Sequence, residues 1–255
     1  MIVAEKRIGE TPLECLERVR VEQIALGHTE YVGAPMTYAG RLDPLASGLL
    51  PILVGEECKI KNNYLGLDKE YEVEILFGVA TDTGDLMGII KGKLGVGPVP
   101  ATPSATNFSL IDLDAYVGKL SQEYPAYSSK TVAGVQLHEL ARTGDLPDEM
   151  PTKEVEIFSI QKLGEYAVTA DEIASRAAER IALVHGDFRQ GEIVRGWRAF
   201  SETQNIRDQA QLFNVMRVRV VCSSGTYMRS LAARIGHAAG VGALAFDIRR
   251  TKIDL

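Results

Sequence analysis

Two segments of this 255-residue chain alternate apolar and polar side chains with a period of two, which is the pattern of a β-strand that buries one face. In residues 71–77 the odd-numbered side chains are apolar or aromatic, and two glutamates lie between them. In residues 216–222 the even-numbered side chains are apolar, and two arginines lie between them. Each strand needs partner strands and a cover for its apolar face. The chain must therefore build a sheet with at least one packed face.

Two other segments carry the signal of a helix start. At residues 11–14 and again at 169–172, a threonine precedes a glutamate by three positions, which is the spacing of a capping box. The apolar residues that follow recur at helical spacing and predict helices that run to about Leu26 and Val184. An apolar run at residues 49–54 predicts another, buried strand. Strands and helices interspersed in this way predict an α+β fold rather than a doubly wound sheet.

The remaining composition disfavours several classes of protein. No uncharged apolar run reaches the ~18 residues of a membrane span, and the N-terminus does not have the pattern of a signal peptide. The three cysteines are far apart and have neither a disulfide pattern nor metal-ligand spacing. We therefore expect a cytoplasmic protein with reduced thiols.

The charge of the chain is unevenly distributed. The net charge is −6 and the pI about 5.4, which argues against binding to nucleic acid because phosphate contacts need Lys and Arg. From Arg217 to the C-terminal end, however, seven basic side chains stand against two acidic ones. Two interpretations stay open, a solvated charged surface or a basic face that binds RNA.

The glycine-rich segment 40–48 contains one carboxylate, Asp43. One interpretation is structural, with Asp43 as the cap of a short helix whose first residue is Pro44. The other is functional, because glycines allow a tight loop that presents a single carboxylate as a nucleophile, a base or a metal ligand. A metal site is disfavoured, since no second ligand lies nearby at a familiar spacing.

Arg229 lies at the start of a helix predicted to follow the small-residue turn 223–226. The helix dipole disfavours a cation there, so Arg229 either has a specific anionic partner or points to solvent. Four tyrosines could stack on an unpaired base or fill the core: Tyr38, Tyr71, Tyr127 and Tyr227. These residues alone do not name a reaction.

A resemblance to a known family supplies the reaction. The chain resembles the TruB family of RNA pseudouridine synthases, with motifs in the family's order and with its spacing up to about Gln161 and again from about Asn214. The motifs are G-R-L-D-P-L-A-S-G-L-L-P at 40–51, G-E-E-C-K at 55–59, D-K-E-Y at 68–71, the T-D-T region at 78–84, Y-S to H-E-L-A-R at 127–142, S-G-T-Y-M-R at 224–229 and I-R-R-T at 248–251.

The resemblance implies a pseudouridine-synthase fold, a mixed and mostly antiparallel sheet flanked by helices and loops around a central catalytic cleft. It implies isomerisation of uridine to pseudouridine without cofactor or metal, after the base has flipped out of its stack. Asp43 is expected to attack or assist cleavage of the glycosidic bond, Tyr71 to stack on the base and relay the C5 proton, and Arg229 to hold Asp43 ionised. The residues expected to bind substrate are Tyr227, Ile248, Tyr38, Arg41, Lys130, Arg249 and Arg250.

One catalytic domain, 1–255, is expected, with two insertions. Residues 124–150 resemble the family's insertion that grips the RNA stem-loop, and residues 163–211 form an extra, largely helical insertion. No C-terminal RNA-binding PUA domain is expected. The family's usual histidine, five positions before the catalytic aspartate, is replaced by Tyr38.

The extra insertion has two interpretations. It could cover apolar surface, because a predicted helix from about residue 170 has one apolar face. It could also contact RNA, because its second half mixes arginines with the single tryptophan. The residues concerned are Ile173, Ala177, Ile181 and Val184 for the apolar face, and Arg189, Arg195, Trp197 and Arg198 for the RNA contact.

The resulting prediction is a monomeric tRNA pseudouridine synthase that acts on uridine 55 in the T-arm, without an obligate protein partner or a membrane. One alternative is a guide-RNA-dependent pseudouridine synthase, which the expected absence of a PUA domain disfavours. The other is a non-catalytic RNA-binding or RNA-folding protein, which the presence of Asp43, Tyr71 and Arg229 disfavours.

Overall fold

The structure, a computed structural model, describes residues 1–91, 111–205 and 211–254. The strands are β1 Ile2–Lys6, β2 Met36–Tyr38, β3 Ser47–Val54, β4 Lys69–Phe77, β5 Gly118–Glu123, β6 Thr131–Val132, β7 Val135–Gln136, β8 Thr152–Thr169, β9 Leu212–Cys222 and β10 Ala243–Ile253. The helices are α1 Pro12–Ala25, α2 Asn62–Leu65, α3 Leu137–Thr143, α4 Ala170–Ile181, α5 Gln190–Asn205 and α6 Met228–Ala238.

Within the described ranges, eight strands form one sheet in the order β1-β3-β10-β4-β9-β8-β5, with β2 also paired to β3. The pairing of β10 with β3 is parallel and the other pairings are antiparallel. The two strands predicted from alternation are neighbours, and Tyr71 of β4 lies opposite Val220 of β9. Their apolar side chains therefore share one face. The expected α+β fold with a mixed, mostly antiparallel sheet is confirmed.

The sheet carries a hydrophobic core on each face. On the face of Tyr71 and Val218, α6 packs through Leu231 and Ile235. On the opposite face, α4 and α5 pack against β-strand residues such as Phe246. A smaller third cluster lies between α1 and strands β1 and β3. The candidate site is lined by Tyr71 and Ile248, from the two central strands β4 and β10, and by loops that lie beside them.

Both predicted capping boxes are present. In α1 the Glu14 N–H donates to Thr11 Oγ1 at 3.2 Å, and the Thr11 N–H donates to the Glu14 carboxylate at 2.7 Å. The box at the start of α4 is equivalent. Helix α1 ends at Ala25, as predicted to within one residue, whereas α4 ends at Ile181. The chain leaves α4 three residues earlier than predicted, and the N–H groups of Leu183 and Val184 donate to Arg180 O and Ile181 O in a tighter turn.

The segment 163–211 is helical only in part, because residues 163–169 continue strand β8. The predicted apolar face of α4 is buried, with Ile173 and Ala177 fully covered. Trp197 is also fully buried, and its indole N–H donates to Leu86 O at 3.0 Å. The expectation that Trp197 stacks on RNA is therefore wrong, because the face of α5 that carries it is the face that packs on the body. Arg195 and Arg198 are exposed.

No helix in the part of the chain that the structure describes is long and apolar enough to cross a membrane.

Candidate active site

Asp43 lies in the loop between β2 and β3. The loop forms a turn in which the Ala46 N–H donates to Asp43 O at 3.0 Å, and residues 41–46 contain no helix. The interpretation of Asp43 as a helix cap is therefore wrong. The side chain is partly exposed, at 36%, and faces a pocket of about 1040 Å³.

The N-terminal segment holds the loop that carries Asp43. Lys6 is fully buried, and its ammonium donates to Ala46 O at 2.6 Å and to Pro44 O at 3.2 Å. The Gly9 N–H donates to the same Pro44 carbonyl at 2.9 Å. Burial lowers the pKa of Lys6 to about 8, although nearby carboxylates oppose the shift. A loop without regular hydrogen bonds of its own is thus fixed by donors from outside it.

Arg229, in the first turn of α6, binds Asp43 with two parallel contacts. Arg229 Nε lies 2.8 Å from Asp43 Oδ2, and Nη2 lies 3.1 Å from Oδ1. The same guanidinium donates to Thr83 O at 2.7 Å and to Tyr127 O at 3.1 Å. The expected pairing of Asp43 with Arg229 is present, and the alternative that Arg229 points to solvent is wrong, since its side chain is only 4% exposed. The bidentate contact with the planar guanidinium thus orients the carboxylate of Asp43 toward the pocket.

A second carboxylate, Asp85, also lies near Arg229, with Oδ2 at 3.8 Å from Arg229 Nε. Asp85 is 7% exposed and accepts from Thr83 Oγ1 at 2.6 Å and from the Met87 N–H at 2.9 Å. Burial raises the pKa of Asp85, which Arg229 opposes. For Arg229, burial alone lowers the pKa, but Asp43 and Asp85 outweigh it and the pKa is raised. The buried arginine is therefore charged, and Asp43 is the more accessible of its two acidic partners.

Asp85 is one of the pocket-lining residues that the sequence interpretation missed. It directly follows the T-D-T region at residues 78–84, which the sequence analysis uses only as part of the family resemblance. Its position beside a family motif was the available signal of a role in the site. Polar residues outside strands and helices have no periodicity that would indicate burial.

The pocket has aromatic walls. Tyr71 of β4 lines it and is 8% exposed, and burial raises the pKa of its phenol while the nearby Arg250 guanidinium opposes the shift. Tyr71 is therefore a neutral phenol near pH 7. Tyr38, Tyr227 and Ile248 line the same pocket. The structure brings these four predicted side chains together with Asp43 and Arg229.

Two predicted substrate-binding arginines line the pocket in different ways. Arg41 is exposed. Arg250 is 1% exposed, and its guanidinium donates to Leu49 O at 2.6 Å and to Arg41 O at 3.4 Å. Arg250 thus braces the loop that carries Asp43, and its predicted contact with substrate stays a prediction.

The other two predicted cations lie outside the lining. The Lys130 ammonium lies 5.1 Å from the ring centroid of Tyr124, and that ring packs edge-on against Tyr227 at 5.7 Å. Lys130 is therefore at the rim. Arg249 is 58% exposed and pairs with Glu5 at 3.2 Å, away from the pocket. Their roles toward RNA stay predictions.

The pocket is also lined by segments that the family motifs did not assign to the site. Lys153, at the start of β8, lines the pocket and donates to Ser224 O at 2.9 Å. Phe188 and Arg189, from the connection between α4 and α5, line it as well. Within residues 1–91, 111–205 and 211–254, no group of three or more His, Cys, Asp or Glu side chains is placed to hold a metal ion.

The chemistry available to this arrangement is limited. A carboxylate bound in two places by a buried, charged arginine is fixed in orientation and can act as a nucleophile or as a base. A neutral phenol beside it can stack on a planar ring and exchange a proton. Both groups face one pocket that is large enough for a small molecule or a nucleotide.

The mixed sheet and the cleft lined by its central strands define the class of the molecule, the pseudouridine-synthase fold. In the crystal structure of a Cbf5-Nop10-Gar1 complex, one chain is similar with a TM-score of 0.53 at 18% identity, over 98% of this chain and 48% of that one. This likeness shows the fold alone. The chain belongs to the TruB family of pseudouridylate synthases, whose N-terminal domain matches residues 32–175.

Relatives of known name agree with the family. The tRNA pseudouridine synthase B of Xanthomonas campestris pv. campestris is 33% identical over 217 residues, which is 85% of this chain and 54% of that protein. The protein of the same name from Trichormus variabilis is 31% identical over 232 residues, which is 91% of this chain and 59% of that protein. The chain thus spans little more than half the length of these relatives.

Proposed function

We propose that this protein isomerises uridine to pseudouridine in RNA, with Asp43 as the catalytic carboxylate. The observation that carries the proposal is the bidentate contact of Arg229 with Asp43 at 2.8 and 3.1 Å, because it fixes one carboxylate at the edge of an aromatic pocket. Membership of the TruB family supports the reaction type.

The reaction breaks the N1–C1′ bond of uridine, forms a C5–C1′ bond, and replaces the proton lost from C5 by one gained at N1. Asp43 initiates cleavage of the N1–C1′ bond, either by attack or by assisting elimination. Tyr71 stacks on the uracil and relays the C5 proton. Its raised pKa favours this role as a neutral phenol rather than as a standing base.

The proposed substrate is uridine 55 in the T-arm of tRNA, flipped into the pocket, and the proposed acting form is a cytoplasmic monomer. Relatives named tRNA pseudouridine synthase B support a tRNA substrate. Cations at the pocket, including Arg41 and Lys153, suit the phosphates that flank a flipped nucleotide. Tyr227 and Ile248 form the proposed uracil-binding wall.

The test is to incubate the purified protein with unmodified tRNA transcript and to map pseudouridine by chemical probing. We expect one product, at position 55, without added guide RNA. A transcript with cytidine at position 55 is the substrate control. Product that forms only when guide RNA is added would support the guide-dependent alternative instead, and product at other positions alone would contradict the proposed substrate.

Asp43→Asn is the matched protein control, since it keeps the size of the side chain and removes its charge. We expect turnover to fall below detection while binding of tRNA persists. Residual turnover within about tenfold of wild type, a barrier change of about 1.4 kcal/mol, would contradict the assignment of Asp43. Binding of tRNA without product from the wild-type protein would favour the non-catalytic alternative.

A further inference from the structure

The connection between α4 and α5, residues 182–189, lies along one side of the pocket and is itself ordered by hydrogen bonds. Gln190 Nε2 donates to Val184 O at 3.2 Å and to Gly186 O at 2.6 Å, and Gln190 Oε1 accepts from the Phe188 N–H at 2.9 Å. The connection therefore presents its side chains to the pocket from a defined backbone. Its lining residues are Asp187, Phe188 and Arg189.

Arg189 contacts two other pocket segments at once. Its Nη1 lies 2.7 Å from Asp82 Oδ2, and its guanidinium carbon lies 4.3 Å from the ring centroid of Tyr127. The Arg189 side chain is 20% exposed. Its backbone adopts φ +62°, which is unusual for a residue other than glycine and persists where surrounding contacts fix it.

Arg189 and Arg229 hold the same two segments. Arg229 donates to the carbonyls of Thr83 and Tyr127, whereas Arg189 binds the side chains of Asp82 and Tyr127. One arginine comes from α6 and the other from the α4–α5 connection. The contacts that orient Arg229 toward Asp43 are thus shared with Arg189.

Two further contacts join the same connection to the walls of the site. Asp187 forms an ion pair with Arg142 of α3. Leu183 packs so closely on Gly9 that a side chain at Gly9 would lie 2.6 Å from Leu183 O. Gly9 in turn donates to Pro44 O, next to Asp43. The connection therefore touches the segments that hold both members of the Asp43–Arg229 pair.

We propose that Arg189 is a positioning residue for the reaction, which fixes Asp82 and Tyr127 so that Arg229 and Asp43 keep their geometry when RNA enters. This inference rests on the proposed function. It assigns to the α4–α5 connection a role in the active site, rather than a contact with the RNA backbone by Arg189. The charge of Arg189 is already paired with Asp82, one face of its guanidinium lies against the Tyr127 ring, and its side chain is only 20% exposed, so it is less accessible to a phosphate than a free surface arginine.

The main variant is Arg189→Asn, because asparagine tolerates a positive φ and is too short to reach Asp82. We expect kcat on tRNA to fall about tenfold or more, since small misplacements of reacting groups are costly, with Kd for tRNA within about twofold of wild type. Arg189→Lys should recover part of kcat, because lysine restores the pairing with Asp82 but not the planar stacking. Arg217→Ala, on the sheet face opposite Tyr71, is the matched control and should behave as wild type.

A second measurement needs no RNA. Amide hydrogen exchange in the free protein should become faster in residues 124–143 of Arg189→Asn and should not change there in Arg217→Ala, because Tyr127 loses its stacking partner. This measurement also separates the two proposals. If the wild-type protein makes no pseudouridine, the proposed function fails, while exchange still reports whether Arg189 holds the pocket wall.

Three results would overturn the inference. The first is a kcat of Arg189→Asn equal to that of Arg217→Ala in an active wild-type background. The second is an unchanged kcat with weaker binding of tRNA, where the salt dependence of binding decreases by the contribution of about one phosphate contact. That result would make Arg189 a phosphate contact. The third is an unchanged rate of amide hydrogen exchange in residues 124–143 of Arg189→Asn, which would overturn the proposed positioning role whatever the activity.

Discussion

The position of Asp43 depends on hydrogen-bond donors from distant parts of the chain. The buried ammonium of Lys6 is the clearest example. Its three acceptors are the carbonyls of Arg7, Pro44 and Ala46. Full burial of a charged lysine is costly, which is why its pKa falls from 10.5 to about 8. The protein retains this charge where it fixes the loop that carries the candidate catalytic group.

This burial predicts a dependence of stability on pH. Below pH about 8, Lys6 is protonated in the folded and the unfolded protein, and above 10.5 it is neutral in both. Between these values only the unfolded chain holds the proton, so the stability of wild type relative to Lys6→Met should rise with pH. The rise should be at most about 3.4 kcal/mol, which is the free energy that corresponds to a pKa of about 8 instead of 10.5. Urea unfolding of both proteins from pH 7 to 10.5 measures it, and a constant difference would contradict the buried charge.

Tyr38 occupies the place of the family's usual histidine and lines the pocket. Its ring lies 5.2 Å from the ammonium of Lys61, and its strand pairs with β3 at Ile52. We expect Tyr38→His to be tolerated and Tyr38→Ala to lower kcat/KM about tenfold, since loss of a stacked ring typically costs ~1–3 kcal/mol. Single-turnover assays on tRNA measure both. Full activity of the alanine variant would show that the ring does not contact substrate.

At the scale of elements, the junction of β3 with β10 places the loop of Asp43 next to Arg250. Gly48 pairs with Arg250 in the parallel register, at φ +107°. A side chain at Gly48 would lie 2.6 Å from Arg250 N, so the two backbones approach too closely for any other residue. The strand glycine is required here by both space and backbone conformation.

We therefore expect Gly48→Ala to destabilise the protein by roughly 2–5 kcal/mol, from backbone strain and overpacking together. Gly164→Ala is the matched control, because Gly164 also lies in a strand but has no atom within 4 Å of its added side chain. Midpoints of urea unfolding compare the two variants. Equal midpoints would contradict the close approach of β3 and β10.

For the molecule as a whole, the net charge of −6 opposes binding of RNA, and the pocket and its rim must supply local positive charge. Arg41 lines the pocket and is exposed, and Lys130 lies at its rim above Tyr124. Distribution rather than total charge thus decides where a phosphate chain can bind.

The double variant Arg41→Ala, Lys130→Ala should bind tRNA more weakly. The slope of log K against log salt concentration should also decrease, by the contribution of up to about two phosphate contacts. The melting temperature should change little, because partly exposed cations contribute little to stability. The control is the double variant Arg217→Ala, Arg219→Ala, on the sheet face opposite Tyr71, and its slope should match wild type. An equal slope in both double variants would place the RNA elsewhere on the surface.

The sequence by itself determined the features that depend on neighbouring residues. Strands β4 and β9 follow from alternation, because a period of two separates a buried face from an open one. The starts of α1 and α4 follow from capping boxes, because both partners lie within three residues of each other. The loop with Asp43 also follows from its local motif, and so does the choice of that residue as the candidate carboxylate.

Only the tertiary structure decided which distant residues meet. The contact of Arg189 with Asp82 spans 107 positions and has no local signal. The contact of Arg229 with Asp43 spans 186 positions and was expected only from the family resemblance, and its bidentate geometry follows from the fold. The burial of Trp197 stayed open for the same reason, since composition does not say which helix face packs on the body, and the structure excludes the interpretation that its ring stacks on RNA. Periodicity defines faces within an element, whereas packing of one element against another selects the partners, and the candidate site is made almost entirely of such partners.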